Sequence, residues 1–286
     1  MFLLQHAAMA TVFEIRCASP DERQARQAAR AAFDLVDRLE QELSRFIDNS
    51  DISRINHLSS GESTVVGYDA MQCLQLASLM HAETGGAFDV AIGTGFEQLQ
   101  LFPAESAVLA CADNVRLDLG AIGKGYAVDR VAELLEEWEI DQVLIDAGLS
   151  SVLALEPPPG REAWSLTLSE PGDTGVVLAH LAARQRALGA SGIQKKDHIL
   201  NPRDQTPVRA RSASWVSAPR ALLADISRRA GVEASPTATA DALSTAFMIA
   251  DADEIDAYCG RHPGLEAWIL QDALRHFSAT PDFPRG

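Results

Sequence analysis

The stretch LDLGAIGKGYAVDR, at Leu117–Arg130, constrains the fold and the function more than any other part of the sequence. Apolar residues at the end of a predicted strand run into three glycines, and a helical pattern of apolar positions follows at once. A strand that breaks into glycines at a helix start brings backbone N–H groups and the positive end of the helix dipole close to a bound anion. Lys124 adds a positive charge there, and Asp118 adds a carboxylate on the same turn. The stretch therefore suits a phosphate group with a metal ion beside it.

A second interpretation of this stretch stays open at the level of the sequence. Its glycine spacing fits neither the P-loop nor the dinucleotide-binding fingerprint, and short glycine motifs often occur without a ligand. The alternative to an anion site is a glycine-rich strand-to-helix turn with a solvated lysine at position 124.

Composition indicates an ordinary globular chain with an excess of acidic residues. Of the 286 residues, 47% are apolar and 22% are charged. The formal net charge of −16 argues against a nucleic-acid partner, because binding to a phosphate backbone requires clustered Lys and Arg. Local donors or a metal ion must therefore hold any phosphorylated ligand.

The sequence also predicts a location. No apolar run is long enough to span a bilayer, and the short apolar segment Met1–Ala10 lacks the basic start of an export signal. The four cysteines lie in apolar patterns without metal-ligand spacing, so we expect buried, reduced thiols at Cys17, Cys73, Cys111 and Cys259. A cytoplasmic location is the resulting expectation.

Periodicity predicts helices and strands that alternate in groups. Residues 9–17 alternate as a strand does, and Ser19-Pro20-Asp21-Glu22 has the form of a capping box that opens a helix to about Leu43. A second helix is predicted over 68–84 and a buried strand over 142–148. Further strands of the same sheet are predicted over 151–155, 164–168 and 176–181. Runs of strands between helices favour an α+β fold.

Two carboxylates outside the glycine-rich stretch also suggest chemistry. Asp89 lies in the apolar segment GGAFDVAIG, where an unpaired charge is costly. Asp241 and Thr245 are four residues apart, so both side chains lie on one face of a helix. They are either a cap and a first-turn residue or two oxygen ligands for a hard cation such as Mg²⁺.

Taken together, the ordered blocks resemble the ApbE family, the Mg²⁺-dependent FAD:protein FMN transferases. The blocks are LSRFIDNSDISRINH, GGAFDVAIG, DLGAIGKGYAVD, ASG with DHILNPRDQTPV, and ADALSTA, and the resemblance extends from about Met9 to Leu270. It implies a single α+β domain over 1–286, with mixed or antiparallel sheets and helices packed in two closely associated lobes. It also implies an inserted segment of unknown role at about 222–237.

The resemblance implies three sets of site residues. Residues expected to line the flavin nucleotide are Met9, Phe46, Ala87, Phe88, Asp89 and the main chain at Leu200. Residues expected to contact FAD near the reaction are Asp118 and Lys124, and those expected to hold Mg²⁺ are Asp241, Thr245 and the carbonyl oxygen of Ala121. His198 is the candidate for accepting the proton of the incoming hydroxyl or for orienting the phosphate.

The reaction implied by the resemblance is a phosphoryl-group transfer. A Thr or Ser hydroxyl of an acceptor protein attacks the FMN phosphorus of FAD, and AMP leaves. The alternatives are hydrolysis of FAD to FMN and AMP, or flavin binding without catalysis.

Several positions depart from the family pattern. Leu149 and Ser150 stand where the family has Gly and Asp, and Gln205 replaces a turn glycine. Ala190 replaces Thr, and Ser244 stands where a second carboxylate is common. These departures raise the question of whether the site keeps its backbone geometry and its metal.

Overall fold

The computed structural model describes residues 1–19, 21–91, 93–193 and 200–279. These residues form thirteen strands and seven α-helices. The strands are Phe2–Ala8 (β1), Thr11–Cys17 (β2), Ser63–Val65 (β3), Leu99–Phe102 (β4), Ala107–Ala110 (β5), Val143–Ala147 (β6), Ser151–Ala154 (β7), Trp164–Glu170 (β8), Asp173–Ala183 (β9), Arg186–Gly192 (β10), Ala213–Pro219 (β11), Glu266–Leu270 (β12) and Leu274–Ser278 (β13). The helices are Glu22–Leu43 (α1), Asp51–Ile55 (α2), Tyr68–Glu83 (α3), Gly123–Glu137 (α4), Arg220–Arg228 (α5), Pro236–Ala246 (α6) and Ala252–Arg261 (α7).

An eight-stranded antiparallel sheet organises the molecule, with the strand order β1-β2-β6-β7-β10-β11-β12-β13. Because successive side chains of a strand point to opposite faces, neighbours such as Leu144 and Ile145 enter different hydrophobic clusters. The larger cluster lies under the helices, and the smaller one lies under β8 and β9. The α+β prediction is confirmed.

The placement of β8 and β9 differs from the prediction. These strands were expected to continue the main sheet, but they pair only with each other in a two-stranded sheet. Trp164 and Leu168 of β8 and Leu181 of β9 pack in the smaller cluster with Trp215 and Trp268 of the main sheet. This hairpin therefore covers the sheet face opposite the helices.

The N-terminal prediction was wrong in two details. The segment before Met9 is a strand, β1, and Met9 and Ala10 form the turn that joins it to β2. The N-cap of α1 is Asp21, whose side chain accepts from the N–H of Gln24 at 3.0 Å, not Ser19. Pro20 lies outside the described residues. The predicted end of α1 at Leu43 is confirmed.

Helix α6 occupies the interior and carries the predicted metal ligands. Its residues are small, and all but Thr245 are buried against β10, α4 and α5. Two backbone amides at its N-terminus, those of Thr237 and Ala238, donate to the buried carboxylate of Asp129 in α4 at 2.9 to 3.0 Å. Asp129 therefore fixes the start of α6 against α4.

The predicted inserted segment is largely helical. Residues 222–237 include most of α5 and the first two residues of α6, and α5 packs on α6. None of the described helices is both long and apolar enough to cross a membrane. Three of the four cysteines are buried as predicted, but Cys111 is exposed.

Candidate active site

Two separate segments hold the strand that leads into the glycine-rich turn. The side-chain amide of Asn56 donates to the carbonyl of Leu117 at 3.0 Å and accepts from its N–H at 2.6 Å. On the other side, the N–H of Asp118 donates to the carbonyl of Val90 at 2.8 Å, one residue after Asp89. These contacts bring the predicted flavin-lining segment beside Asp118. Asn56 lies in the block LSRFIDNSDISRINH, in which no local pattern predicts this contact.

Asp118 lies at the centre of a small charged cluster. One carboxylate oxygen accepts from the N–H of Gly120 at 2.8 Å, and the other is 2.9 Å from Nε of Arg45. The Arg45 guanidinium lies 4.3 Å from the centre of the Phe46 ring, in a cation–π contact. Phe46 is 79% exposed. An exposed aromatic ring beside a charged pair is a suitable surface for a planar ligand.

Lys124 is the second residue of α4, so its ammonium group lies near the positive end of that helix. Its Nζ donates to the carbonyl of Gly120 at 3.2 Å, which folds the side chain back over the glycine-rich turn. The N–H of the next residue, Gly125, donates to the carboxylate of Asp241 at 2.9 Å, and the charge of Lys124 lowers the pKa of that carboxylate. The structure therefore brings Lys124 and the predicted metal ligand Asp241 into one site.

Asp241 is buried, with 5% of its surface exposed. Its Oδ2 accepts from the N–H of Gly125 at 2.9 Å and from Oγ of Ser151 at 2.6 Å. Its Oδ1 is buried and has no hydrogen-bond partner among the residues that the structure describes. Burial raises the pKa of Asp241 to about 7, although Lys124, Ser151 and Gly125 lower it. A buried carboxylate oxygen without a partner is costly unless a ligand completes it.

Asp241 and Thr245 do not form a helix cap. Neither residue lies in the first turn of α6, which begins at Pro236, and Asp129 accepts from the N-terminal amides there. One turn after Asp241, Oγ1 of Thr245 is 2.8 Å from Oγ of Ser191. A free carboxylate oxygen near a half-buried hydroxyl makes an all-oxygen donor set, which fits Mg²⁺. The turn that contains Ala121 is joined to this helix through Gly125.

The predicted flavin-lining residues around Asp89 are mostly core residues. Ala87 and Phe88 are buried with their main chain, so neither presents surface to a ligand in this structure. Asp89 accepts from the N–H groups of Ala91 and Phe96 at 2.7 and 3.2 Å, and burial raises its pKa. These bonds meet the expectation that a carboxylate in this apolar segment is paired.

A cavity of about 230 Å³ lies beside Asp89. Its lining includes His81, Glu97, Arg203 and Gln205. The ligand atoms of His81, Asp89 and Glu97 lie within 4.8 Å of one another. Arg203 is anchored beside this cavity, because its guanidinium donates to both carboxylate oxygens of Glu254 and to the carbonyls of residues 84 and 85.

Two further predicted residues fall in the segment before this arginine. Leu200 is half-buried and forms an isolated antiparallel bridge with Pro207. His198 lies outside the described residues, so its role as a proton acceptor stays a prediction.

The sequence pattern of the ApbE family matches residues 9–107 and 93–232 of the chain. The chain belongs to the ApbE family. A relative from Klebsiella pneumoniae (strain 342) named FAD:protein FMN transferase is 24% identical over 268 residues, which cover 78% of this chain and 75% of the relative. A protein of the same name from Treponema pallidum (strain Nichols) is 24% identical over 294 residues, which cover 85% of this chain and 76% of that protein.

Solved structures of ApbE proteins have the same fold. The flavin transferase ApbE from Vibrio cholerae aligns with a TM-score of 0.79 at 18% identity, covering 98% of this chain and 97% of that one. The ApbE protein from Thermotoga maritima aligns with a TM-score of 0.82 at 20% identity, covering 96% of each chain.

This ApbE-family chain has left-handed backbone at two positions where the family resemblance places glycine. Leu149 and Gln205 have φ values of 61° and 62°. Side chains other than glycine adopt this conformation at a cost, so these turns are held by their surroundings. For example, the N–H of Leu149 donates to the carboxylate of Asp146 at 2.7 Å. These residues therefore adopt the left-handed conformation that glycine adopts at little cost.

Proposed function

We propose that the protein transfers FMN from FAD to a Thr or Ser hydroxyl of an acceptor protein and releases AMP in an Mg²⁺-dependent reaction. The observation that carries this proposal is the buried, unpartnered Oδ1 of Asp241, one helical turn from the Thr245 hydroxyl and within electrostatic range of Lys124. The names of the relatives support the choice of substrate.

Different residues of the site would bind the pyrophosphate, the cation and the nucleotide. Lys124 and the N-terminus of α4 provide positive charge for the pyrophosphate. Asp241, Thr245 and the carbonyl of Ala121 would hold the cation, which when bound supplies positive charge for the departing AMP. Asp118 and its partner Arg45 would meet the nucleotide at the same turn.

The flavin itself requires a flat surface and an apolar edge. The exposed ring of Phe46 suits stacking on a planar ring system, and Met9 lies in a turn at the end of the main sheet. We include in this proposal that His198 accepts the proton of the incoming hydroxyl, a role that rests on the family resemblance alone.

Hydrolysis of FAD is the expected side reaction of the same site, since water can replace the acceptor hydroxyl. The alternative of a non-catalytic flavin-binding protein was based on the altered glycine turns. That basis is weakened because Leu149 and Gln205 keep left-handed backbone.

The test measures AMP release and covalent flavin together. Purified protein is incubated with FAD and Mg²⁺, with and without candidate acceptors that carry Thr or Ser, and the acceptors are examined for covalent flavin fluorescence. Asp241→Ala should abolish Mg²⁺-dependent AMP release and leave the fold intact, whereas Asp256→Ala at an exposed position in α7 should have no effect.

Two results would contradict the proposal. Absence of AMP release from the unaltered protein with every acceptor would overturn the activity. Normal release from the Asp241→Ala variant would overturn the metal assignment, because loss of an ordinary helix contact costs only stability.

A further inference from the structure

Three hydroxyl groups form a connected chain beside the proposed metal ligands. Oγ of Ser191, in β10, is 2.9 Å from Oγ of Ser244 and 2.8 Å from Oγ1 of Thr245. Oγ of Ser244 is also 2.9 Å from the backbone carbonyl oxygen of Asp241. Ser244 is fully buried, and Ser191 and Thr245 are half-buried. The chain thus runs from the interior of α6 to the Thr245 hydroxyl.

The direction of each hydrogen bond in this chain follows from the number of hydrogens. A hydroxyl has one hydrogen to donate and two lone pairs to accept with. The carbonyl of Asp241 can only accept, so the Ser244 hydrogen is used there. Ser244 must then accept from Ser191. Since the hydrogen of Ser191 is used in turn, Thr245 must donate its own hydrogen to Ser191.

We propose that Ser191 and Ser244 are positioning residues that turn the hydrogen of the Thr245 hydroxyl away from the cation and leave its lone pairs to bind it. This inference rests on the proposed metal site at Asp241 and Thr245. A hydroxyl can coordinate a cation only through a lone pair, so a fixed hydrogen direction preorganises the ligand. The serine at position 244, where a carboxylate is common in the family, is the residue that begins the chain.

Removal of either serine disturbs the chain differently. In Ser191→Ala, the Thr245 hydrogen loses its acceptor and is free to turn toward the cation. In Ser244→Ala, the Ser191 hydrogen loses its acceptor and competes for the lone pairs of Thr245. Removal of a hydrogen-bonding group that orients a metal ligand typically lowers metal affinity by about 10-fold to 100-fold. We expect each variant to bind the cation about 10-fold more weakly.

The test measures Mn²⁺ binding to the FAD-free protein by electron paramagnetic resonance, with Mg²⁺ as competitor, so it does not depend on turnover. The variants are Ser191→Ala, Ser244→Ala, Thr245→Val and the double variant Ser191→Ala with Thr245→Val. If Ser191 acts through Thr245, its substitution should weaken binding in the unaltered protein and have no further effect in the Thr245→Val background.

A matched control separates positioning from general destabilisation. Ser227 is a buried serine in α5 whose hydroxyl donates to the carbonyl of Ala224. Ser227→Ala should lower the melting temperature without a change in Mn²⁺ affinity. Ser191→Ala should change the affinity even if the two variants are equally stable.

The outcomes distinguish this inference from the function on which it rests. Normal Mn²⁺ affinity in both serine variants overturns the positioning role. The same holds if Ser191→Ala lowers the Mn²⁺ affinity equally in the unaltered protein and in the Thr245→Val background. If Asp241→Ala binds Mn²⁺ as well as the unaltered protein does, the metal site itself is wrong and the inference falls with it.

Discussion

The backbone N–H of Gly125 donates to Oδ2 of Asp241 over 2.9 Å, although 116 positions separate the two residues in the sequence. The contact joins the glycine-rich turn to the helix that carries the proposed metal ligands. The contact is possible because residue 125 has no side chain. A Cβ atom at this position would lie only 2.6 Å from the backbone of Thr237 and Ala238. The glycine is therefore required for close approach of two helices, whatever its effect on the ligand.

Gly125→Ala is expected to destabilise the fold by about 1–3 kcal/mol, the usual cost of overpacking, and to weaken cation binding. The physical reason is that backbone, not a flexible side chain, would meet the new methyl group. Denaturant unfolding and Mn²⁺ titration of the variant measure both effects.

The control for this prediction lies two residues earlier. A Cβ at Gly123 would meet only Leu119, at an ordinary contact distance of 3.7 Å. Gly123→Ala should therefore keep or raise stability, by up to about 1 kcal/mol from helix propensity. Equal losses in the two variants would contradict the close-approach argument.

Lys124→Ala is expected to weaken FAD binding by about 1.5–3 kcal/mol, the range for hydrogen bonds to charged groups. Calorimetric titration of FAD into the variant provides the measurement. Arg23→Ala, which removes an exposed positive charge from α1, serves as the control and should leave the affinity unchanged. An affinity in Lys124→Ala equal to that of the unaltered protein would favour the solvated-lysine interpretation.

Asp129 should make stability depend on pH. Burial raises the pKa of Asp129 to about 8, although the N–H groups of Thr237 and Ala238 lower it, and only 2% of the residue is exposed. An unfolded aspartate titrates near pH 4. Between about pH 4 and about pH 8, Asp129 therefore holds a proton in the native state that it has lost in the unfolded chain. The contribution of this group to stability is therefore fully present below about pH 4 and is lost as the pH rises through about 8.

The measurement compares unfolding free energies of the unaltered protein and Asp129→Asn between about pH 5 and pH 9. Asparagine does not titrate, so the variant should gain stability relative to the unaltered protein as the pH rises. Asp256→Asn, at an exposed position in α7, should follow the unaltered protein. Parallel curves for Asp129→Asn and the unaltered protein would refute the argument.

Local patterns were sufficient for the elements with strong periodicity. The extents of α1, α3 and β6 and the helical placement of Asp241 and Thr245 agree closely with prediction. The strand β1 was missed because FLLQHAA lacks a clean alternation of apolar and polar residues, as an edge strand allows. The hairpin β8–β9 was assigned to the wrong sheet because strand patterns do not specify partners.

The supporting contacts of the site could not be predicted from local patterns. Ser151 binds Asp241 from 90 positions away, and Asn56 binds Leu117 from 61 positions away. Their sequence surroundings are those of ordinary polar residues, and only the folded chain brings them to their partners. The family resemblance supplied the predicted ligands, whereas the hydrogen bonds that those residues make required the structure.

Leu149→Gly is expected to stabilise the protein by up to about 1 kcal/mol. Leu149 has a φ of 61°, and a left-handed conformation costs a residue other than glycine about 1–2 kcal/mol. Part of the gain is lost because glycine makes the unfolded chain more flexible. Little burial is lost, since Leu149 is 67% exposed. Unfolding in urea measures the change in free energy.

At the neighbouring position, the reverse change from glycine is expected to lower stability. Gly148 has a φ of 66°, and a Cβ there would overlap Oγ1 of Thr11, so Gly148→Ala should destabilise the same turn. Leu149→Asn, which tolerates left-handed backbone, should recover part of the gain without the flexibility of glycine. Loss of stability in both Leu149 variants would mean that the leucine side chain makes a favourable contact that outweighs its strained backbone.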